Sequence, residues 1–268
     1  MRKNSRPVNH PFRMTPRSIV FIASDAPEAK AAQRTLAKRY GNIRPAQATH
    51  IVALGGDGLM LHTLHRYGHT GKPIYGMNCG SVGFLMNDYV EDNLPERLAQ
   101  AEATVIHPLR MTSTNMQGQK RRAIAYNEVS VWRQTYQAAK LAIAIDGKER
   151  LKELIADGVL VSTPAGSTAY NLSAHGPILP INSRLLAVTP LSPFRPRRWR
   201  GAILPHDARI ALSVLAPDKR PVAAVADHTE FRNVRSVLIA EDPSIAATLL
   251  FDRGSNLSER VLSEQFLF

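Results

Sequence analysis

HIVALGGDGLMLHTLHRYG, residues 50–68, decides the fold. His50–Leu54 is a short, apolar, β-branched run and reads as a buried strand. Gly55-Gly56-Asp57-Gly58 is a tight turn, and Leu59, Leu61 and Leu64 then recur at helical spacing up to Gly68. A strand that ends in a glycine turn and opens directly into a helix is the repeating unit of an α/β sheet. In open sheets of this kind ligands bind in the crevice at the carboxyl ends of the strands. The glycines permit positive φ and let a phosphate come close to the backbone. The helix that follows offers free N–H groups and a positive dipole end. An acid in the middle of such a turn is unexpected, because Asp57 repels a phosphate unless a metal or a proton transfer is involved. Asp57 therefore reads either as a carboxylate held beside a phosphoryl group, as base or metal ligand, or as a plain helix N-cap. No GxxxxGK[ST] phosphate loop occurs in the chain.

Outward from this turn the alternation continues. SIVFIA (18–23) reads as a strand, and PEAKAAQRTLAKRY (27–40) as a helix that starts at a proline and stops before Gly41. Pro73–Met77 is a third strand, NCGSVGF (78–84) a loop, and 93–102 a helix capped by Asn93. Strands alternating with helices indicate a parallel sheet. From Ala103 the rhythm changes. The segments 104–113, 121–133, 138–146, 158–163, 185–189, 201–204, 209–215, 221–226 and 236–241 all read as strands, separated by turns such as MQGQ, DGK and PDK. One helix interrupts them, beginning near Gly166. The end alternates again, with a strand at 246–251 and a helix at 257–266 capped by Ser255 or Asn256. The expected organisation is α/β plus all-β. An α/β domain spans 18–103 together with 241–268, a β-rich, sandwich-like domain spans 104–240, and 1–17 is a disordered basic tail.

The chain has 268 residues, 44% hydrophobic and 21% charged, which is ordinary globular composition and excludes a disordered or coiled-coil chain. Cys79 is the only cysteine, which excludes an internal disulfide framework and fits a reducing compartment. No apolar run approaches a membrane span. The excess of Lys+Arg, 34 against 22 Asp+Glu, gives a net charge of +12 and points to anionic partners. Residues 1–17 hold Arg2, Lys3, Arg6, Arg13 and Arg17 without an acid, so +7 remains when they are set aside. Prolines at 7, 11 and 16 deny this stretch a regular element. It has no apolar core of a secretory signal and is at most a weak organelle-targeting leader. A second cluster, Arg195, Arg197, Arg198 and Arg200, reads as a solvated turn. A nucleic-acid module would interleave aromatics with these cations, and only Phe194 and Trp199 qualify.

A second constellation is DGVLVSTPAGSTAYNLSAHGPI, residues 157–178. It joins a strand (158–163), a Pro-Ala-Gly turn and a helix start rich in hydroxyl residues. Ser167 and Thr168 fall where a helix N-terminus offers donors, and Tyr170 gives an aromatic face on which a ring could stack. Each residue alone reads equally as capping or core. A serine hydrolase built on Ser167 fails, since GSTAY is not GxSxG. Tyr126-Asn127-Glu128 lies within the strand 121–133, where neighbours point to opposite faces. For Asn127 and Glu128 to reach one ligand, the strand must end, bulge or lie edge-on there.

A strand, GGDG and a helix resemble the superfamily of NAD kinases, diacylglycerol-type lipid kinases and 6-phosphofructokinases. The string STPAGSTAYNLSAHGP, residues 162–177, is similar to the glycine-rich signature of NAD kinases alone. It departs at Ala165, where Thr or Ser is usual, and at His175, where Gly is usual. Asn127-Glu128, the Asn78–Phe84 loop and Ala226-Asp227-His228 resemble further family motifs in family order, and the lipid-kinase string GxxNDFA is absent.

The resemblance implies an NAD kinase: a Mg²⁺-dependent phosphotransferase that moves a phosphoryl group from ATP, or from polyphosphate, to the 2′-hydroxyl of the adenosine ribose of NAD. It implies Asp57 as the base, with Gly58 and the preceding glycines against phosphate. His62 stands where the family usually has Arg or Lys, and a neutral His is a weaker phosphate partner. Asn127 and Glu128 are implied at ribose hydroxyls or the adenine edge. Ala165, Thr168, Ala169, Tyr170, Asn171 and Ser173 are implied in the adenine and ribose pocket, and Asp157 at the nicotinamide end. No residue is assigned as a metal ligand. A cytoplasmic homodimer or homotetramer built on the β-rich half, without membrane or nucleic acid, completes the expectation.

Overall fold

The computed structural model describes residues 18–80, 83–254 and 266. The expected tail, and the expected last helix with its cap, therefore lie outside the described residues except for Phe266. The first part comprises β1 (Ile19–Ala23), α1 (Pro27–Tyr40), β2 (His50–Gly55), α2 (Asp57–Tyr67), β3 (Ile74–Asn78), α3 (Leu94–Gln100) and β4 (Glu102–Ile106). The second comprises β5 (Leu109–Asn115), β6 (Lys120–Ala125), β7 (Glu128–Arg133), β8 (Ala139–Ile145), β9 (Lys148–Ala156), β10 (Gly158–Ser162), α4 (Tyr170–Ser173), β11 (Leu185–Leu191), β12 (Ala202–Pro205), β13 (Ile210–Val214), β14 (Val222–Ala226), β15 (Thr229–Phe231) and β16 (Val234–Glu241). The chain then runs into β17 (Ala247–Phe251).

Three sheets result. The first has the order β1-β2-β3-β17-β4, parallel except for the β17–β4 pair. β17 thus returns from the far end of the chain and inserts between β3 and β4, carrying buried Leu249, Leu250 and Phe251 with it. The other two sheets are six-stranded and antiparallel, with orders β12-β11-β10-β7-β14-β15 and β6-β5-β16-β13-β8-β9. They face each other across one apolar core: Val129 and Val131 of β7 and Val159 and Val161 of β10 meet Leu109 of β5, Leu141 and Ile143 of β8 and Leu212 of β13. Alternating inward residues build this sandwich, as the period of two in each strand requires.

α1 has the expected bounds and packs Ala29, Ala32 and Leu36 inward. Two long expected strands are each broken in two. The segment 104–113 breaks at His107-Pro108, where the chain leaves the first sheet for the sandwich. The segment 121–133 breaks at Tyr126-Asn127, where it crosses from one face of the sandwich to the other. β9, with its charged KERLKELIA, and the short β15 were not expected. Both are edge strands, where solvated charge is compatible with pairing on one side. The helix expected near Gly166 is a 3₁₀ turn, Ala165–Thr168, followed by the single turn of α4. Asn93 does not cap α3 through its side chain: it sits at φ 54°, in the left-handed region, and an N-cap needs an extended residue.

Candidate active site

Asp57 is the first residue of α2, and Gly56, extended at φ −120°, occupies the cap position in front of it. The carboxylate is turned away from the helix end. Its Oδ2 accepts the Phe84 N–H at 2.7 Å and its Oδ1 the Leu85 N–H at 2.8 Å. Two backbone donors from the 78–85 loop therefore set the orientation of the acid, which answers the alternative of a plain cap. Gly83 leaves the room for this, since a Cβ there would stand 2.9 Å from Asp57 Oδ1. None of Gly55, Gly56 and Gly58 uses positive φ, contrary to expectation. At Gly55 a Cβ would press on the Leu59 side chain at 3.0 Å, while Gly56 and Gly58 face open space, as a backbone approached by a ligand does.

The break between β6 and β7 answers how Asn127 and Glu128 can serve one site. The turn there is held by Asp227, whose side chain is fully buried. Its Oδ2 accepts the Tyr126 N–H at 2.7 Å, and its Oδ1 accepts those of Asn127 at 3.1 Å and Glu128 at 3.3 Å. A fourth partner comes from α2, where His65 Nε2 lies 2.7 Å from Asp227 Oδ2. Burial, and next the nearby Asp227, push the Glu128 carboxyl up to about 7. Its Oε2 is buried without a hydrogen-bond partner, as is Asn78 Oδ1. His228 packs edge-on to His65 at 4.4 Å between ring centres and lies 5.1 Å from His62. Burial, then His65 and His62, hold the His228 imidazole below its ordinary range.

The 162–177 stretch is braced on the same turn. The Thr163 hydroxyl donates to Tyr126 O at 2.7 Å and accepts from Gly166 N at 3.0 Å. Tyr170 stacks on Trp132 at 5.4 Å and 11°, a flat aromatic pair. Tyr170, Trp132, Asp157, Ser173, His175 and Trp199 line one cleft of about 390 Å³. Asp157 is engaged there by Arg133 Nε.

Two expected pocket residues are placed elsewhere. Asn171 is fully buried, its Nδ2 donating to Ser167 O and Pro177 O and its Oδ1 accepting from Thr189 Oγ1, so its amide braces the loop rather than facing the cleft. Ala165 is nearly buried and lines a separate cavity of about 290 Å³ with Pro164, Ser183 and His206. Thr168 and Ala169 are half-buried in the turn before α4, and Gly58 and His62 are exposed on α2. His65 and Trp132 carry no motif signal in the sequence, whereas His228 belongs to the Ala226-Asp227-His228 motif. His65 was accessible in principle, three residues after His62 and so on a neighbouring helix face. Among the described residues no grouping of three or more His, Cys, Asp or Glu side chains could hold a metal ion.

Comparison with known proteins agrees with this geometry. The family model "ATP-NAD kinase N-terminal domain" matches residues 11–107, and "ATP-NAD kinase C-terminal domain" matches 126–235. The chain is 58% identical over 248 residues to the NAD kinase of Caulobacter vibrioides, covering 92% of this chain and 95% of that protein. It is 55% identical over 255 residues to that of Hyphomonas neptunium, covering 95% and 100%. Among solved structures it resembles yeast NADH kinase complexed with NADH, at TM-score 0.80 and 20% identity over 98% of this chain and 92% of that one. It also resembles an NAD kinase from Archaeoglobus fulgidus in complex with ATP, at TM-score 0.71 and 23% identity over 91% and 98%. These two likenesses concern the fold. With both family domains matched and relatives more than half identical over nearly their whole length, this chain belongs to the NAD kinase family, phosphotransferases that convert NAD to NADP.

Proposed function

We propose that phosphoryl transfer to the adenosine ribose 2′-hydroxyl of NAD takes place at Asp57. The observation that carries this is the carboxylate held by the Phe84 and Leu85 N–H groups at the head of α2, beside the open backbone of Gly56 and Gly58. A ribose hydroxyl is a weak acid, so Asp57 accepts its proton late, as the phosphoryl group is captured. Donor phosphates lie against the glycine turn and His62. ATP is the donor, by analogy with the Archaeoglobus relative, with polyphosphate as the alternative. A Mg²⁺ bound with the donor phosphates would offset their charge.

Asn127 and Glu128 receive the ribose. The buried, unpartnered Glu128 Oε2 is an acceptor suited to a ribose hydroxyl. Thr168, Ala169, Tyr170 and Ser173 hold the adenosine end, where the stacked Tyr170–Trp132 pair offers a flat apolar wall. Asp157 serves the nicotinamide end. The working form is a cytoplasmic homodimer or homotetramer, in which a partner covers the exposed Phe194 and Ile203. No helix among the described residues is long and apolar enough to cross a membrane.

The test is turnover of NAD with Mg²⁺ and either ATP or polyphosphate. Asp57→Asn is expected to lower kcat by at least about 10³-fold while NAD binding persists. Turnover near wild type would refute the base assignment.

A further inference from the structure

The groups proposed for chemistry and for substrate stand on different parts of the fold. Asp57 rides on α2 and belongs to the first sheet, whereas Asn127 and Glu128 belong to the sandwich. Phosphoryl transfer tolerates little error between them, since a misplacement of about 1 Å can cost about 10²-fold. Something must hold the helix to the turn.

Two contacts do so, one on the second half of α2 and one at the glycine that caps it. At the first, His65 reaches across to the fully buried Asp227 at 2.7 Å, and the same carboxylate takes the three N–H groups of Tyr126, Asn127 and Glu128. One buried anion is thus shared between the helix and the turn. Its four partners offset the cost of burying it, and when His65 is lost the three backbone N–H groups still hold the carboxylate to the turn while the helix is released. The His65 ring is further fixed edge-on by Tyr126 at 5.4 Å and by His228 at 4.4 Å. At the second contact, the Tyr126 ring ends against Gly68, which closes α2. A Cβ at Gly68 would stand 2.1 Å from Tyr126 Oη but 3.0 Å from Cζ. The hydroxyl is buried and makes no hydrogen bond, so its work at this position is steric.

We infer that the His65–Asp227 pair and the Gly68–Tyr126 contact form a two-point clasp that positions Asp57 against the substrate turn at Asn127 and Glu128. His65, Asp227, Gly68 and Tyr126 are positioning residues and touch neither the reacting hydroxyl nor the donor. The inference rests on the assignment of Asp57 as base. It predicts that loosening either point lowers kcat while leaving the NAD-binding turn, and hence KM for NAD, nearly intact.

The clasp is tested by steady-state kinetics on the full chain. His65→Ala is expected to lower kcat by about 10- to 100-fold. His65→Gln, which keeps an N–H donor for Asp227, is expected to stay within about threefold of wild type. Gly68→Ala is expected to lose kcat similarly, because its methyl meets the Tyr126 hydroxyl. Tyr126→Phe in the same chain removes that oxygen and is expected to restore part of the lost kcat, the contacts at 3.0 Å to the ring Cζ and 3.2 Å to Ala247 Cβ remaining. Wild-type kcat in His65→Ala or Gly68→Ala overturns the clasp. Equal damage by Gln and Ala at position 65, or no rescue by Tyr126→Phe, also overturns it. If His65→Ala fails to fold by circular dichroism, the Gly68–Tyr126 rescue decides alone. These comparisons all keep Asp57, so an active Asp57→Asn enzyme would remove the base assignment without imitating a failed rescue.

Discussion

Glu128 shows how a site is tuned by what surrounds a single carboxyl. It is largely buried and stands near the buried Asp227, and both burial and that charge favour its neutral form. The sign of the consequence follows from linkage. The folded chain holds this proton up to about pH 7, whereas an unfolded chain releases it near the ordinary value of 4.5. Glu128 therefore contributes stability that is present at low pH and is lost as pH rises through about 7. Glu128→Gln cannot titrate. The difference in unfolding free energy between Glu128→Gln and the unaltered chain is expected to grow in favour of the variant from pH 5 to pH 8, by about 3 kcal/mol at most. A difference that stays level, measured by calorimetry across that range, would refute the raised carboxyl. His175 is a second case of residue-scale tension. It stands where the signature has glycine and takes φ 60°, a left-handed conformation that glycine adopts without strain.

At the scale of elements, the decisive object is the meeting of two turns. The 126–128 turn lies between β6 and β7, and the 163–168 turn follows β10. They touch through Gly166, where a Cβ would stand 2.2 Å from Asn127 O and 2.5 Å from its Cα. These are backbone atoms and cannot swing aside. Gly166→Ala is expected to push the turns apart and raise KM for NAD by about tenfold or more, because both carry residues proposed to bind it. Steady-state KM for NAD, with folding checked by circular dichroism, measures this. The sequence carried part of this arrangement. The strand character of 121–133 and the glycine-rich string were legible, and so was the requirement that the strand end, bulge or lie edge-on at Asn127. The chain's exchange of sheets at that break was not, because crossing depends on partners about a hundred residues away, notably Asp227. β9 was missed for a related reason: its charges are those of a loop unless a neighbouring strand is known to be there. The place of Asn171 in the signature points it toward the ligand, whereas its hydrogen bonds to Ser167, Pro177 and Thr189 make its amide a brace.

For the molecule as a whole, the closing strand matters more than its position suggests. β17 sits between β3 and β4, and its buried residues pack with Met60 and Leu64 of α2 and with Tyr126. Without it, β3 would lose a partner and β4 would have none in its sheet. A chain truncated after Glu241 is expected to lose the cooperative unfolding transition of the full chain. Calorimetry checks this, and an unchanged transition would show that β17 is dispensable. The positive charge, the most visible global property of the sequence, is untouched by the ion pairs of the fold: Arg97 with Asp252, Arg110 with Asp242 and Arg133 with Asp157 each match one cation to one acid and leave the excess of +12 unchanged.

What the sequence by itself determined was local. The strand–GGDG–helix unit, the period-two strands of the second half, and the ordered string from Ser162 to Pro177 depend on residues close along the chain, and neighbouring residues suffice to read them. The tertiary structure decided everything that depends on distant segments meeting. The loop N–H groups of Phe84 and Leu85 turn Asp57 away from a capping role. The buried carboxylate of Asp227 joins the helix to the substrate turn. β17 returns across almost the whole chain to complete the first sheet. These contacts are specified by burial and by the need of each buried polar group for a partner, and no pattern along the sequence names the partner.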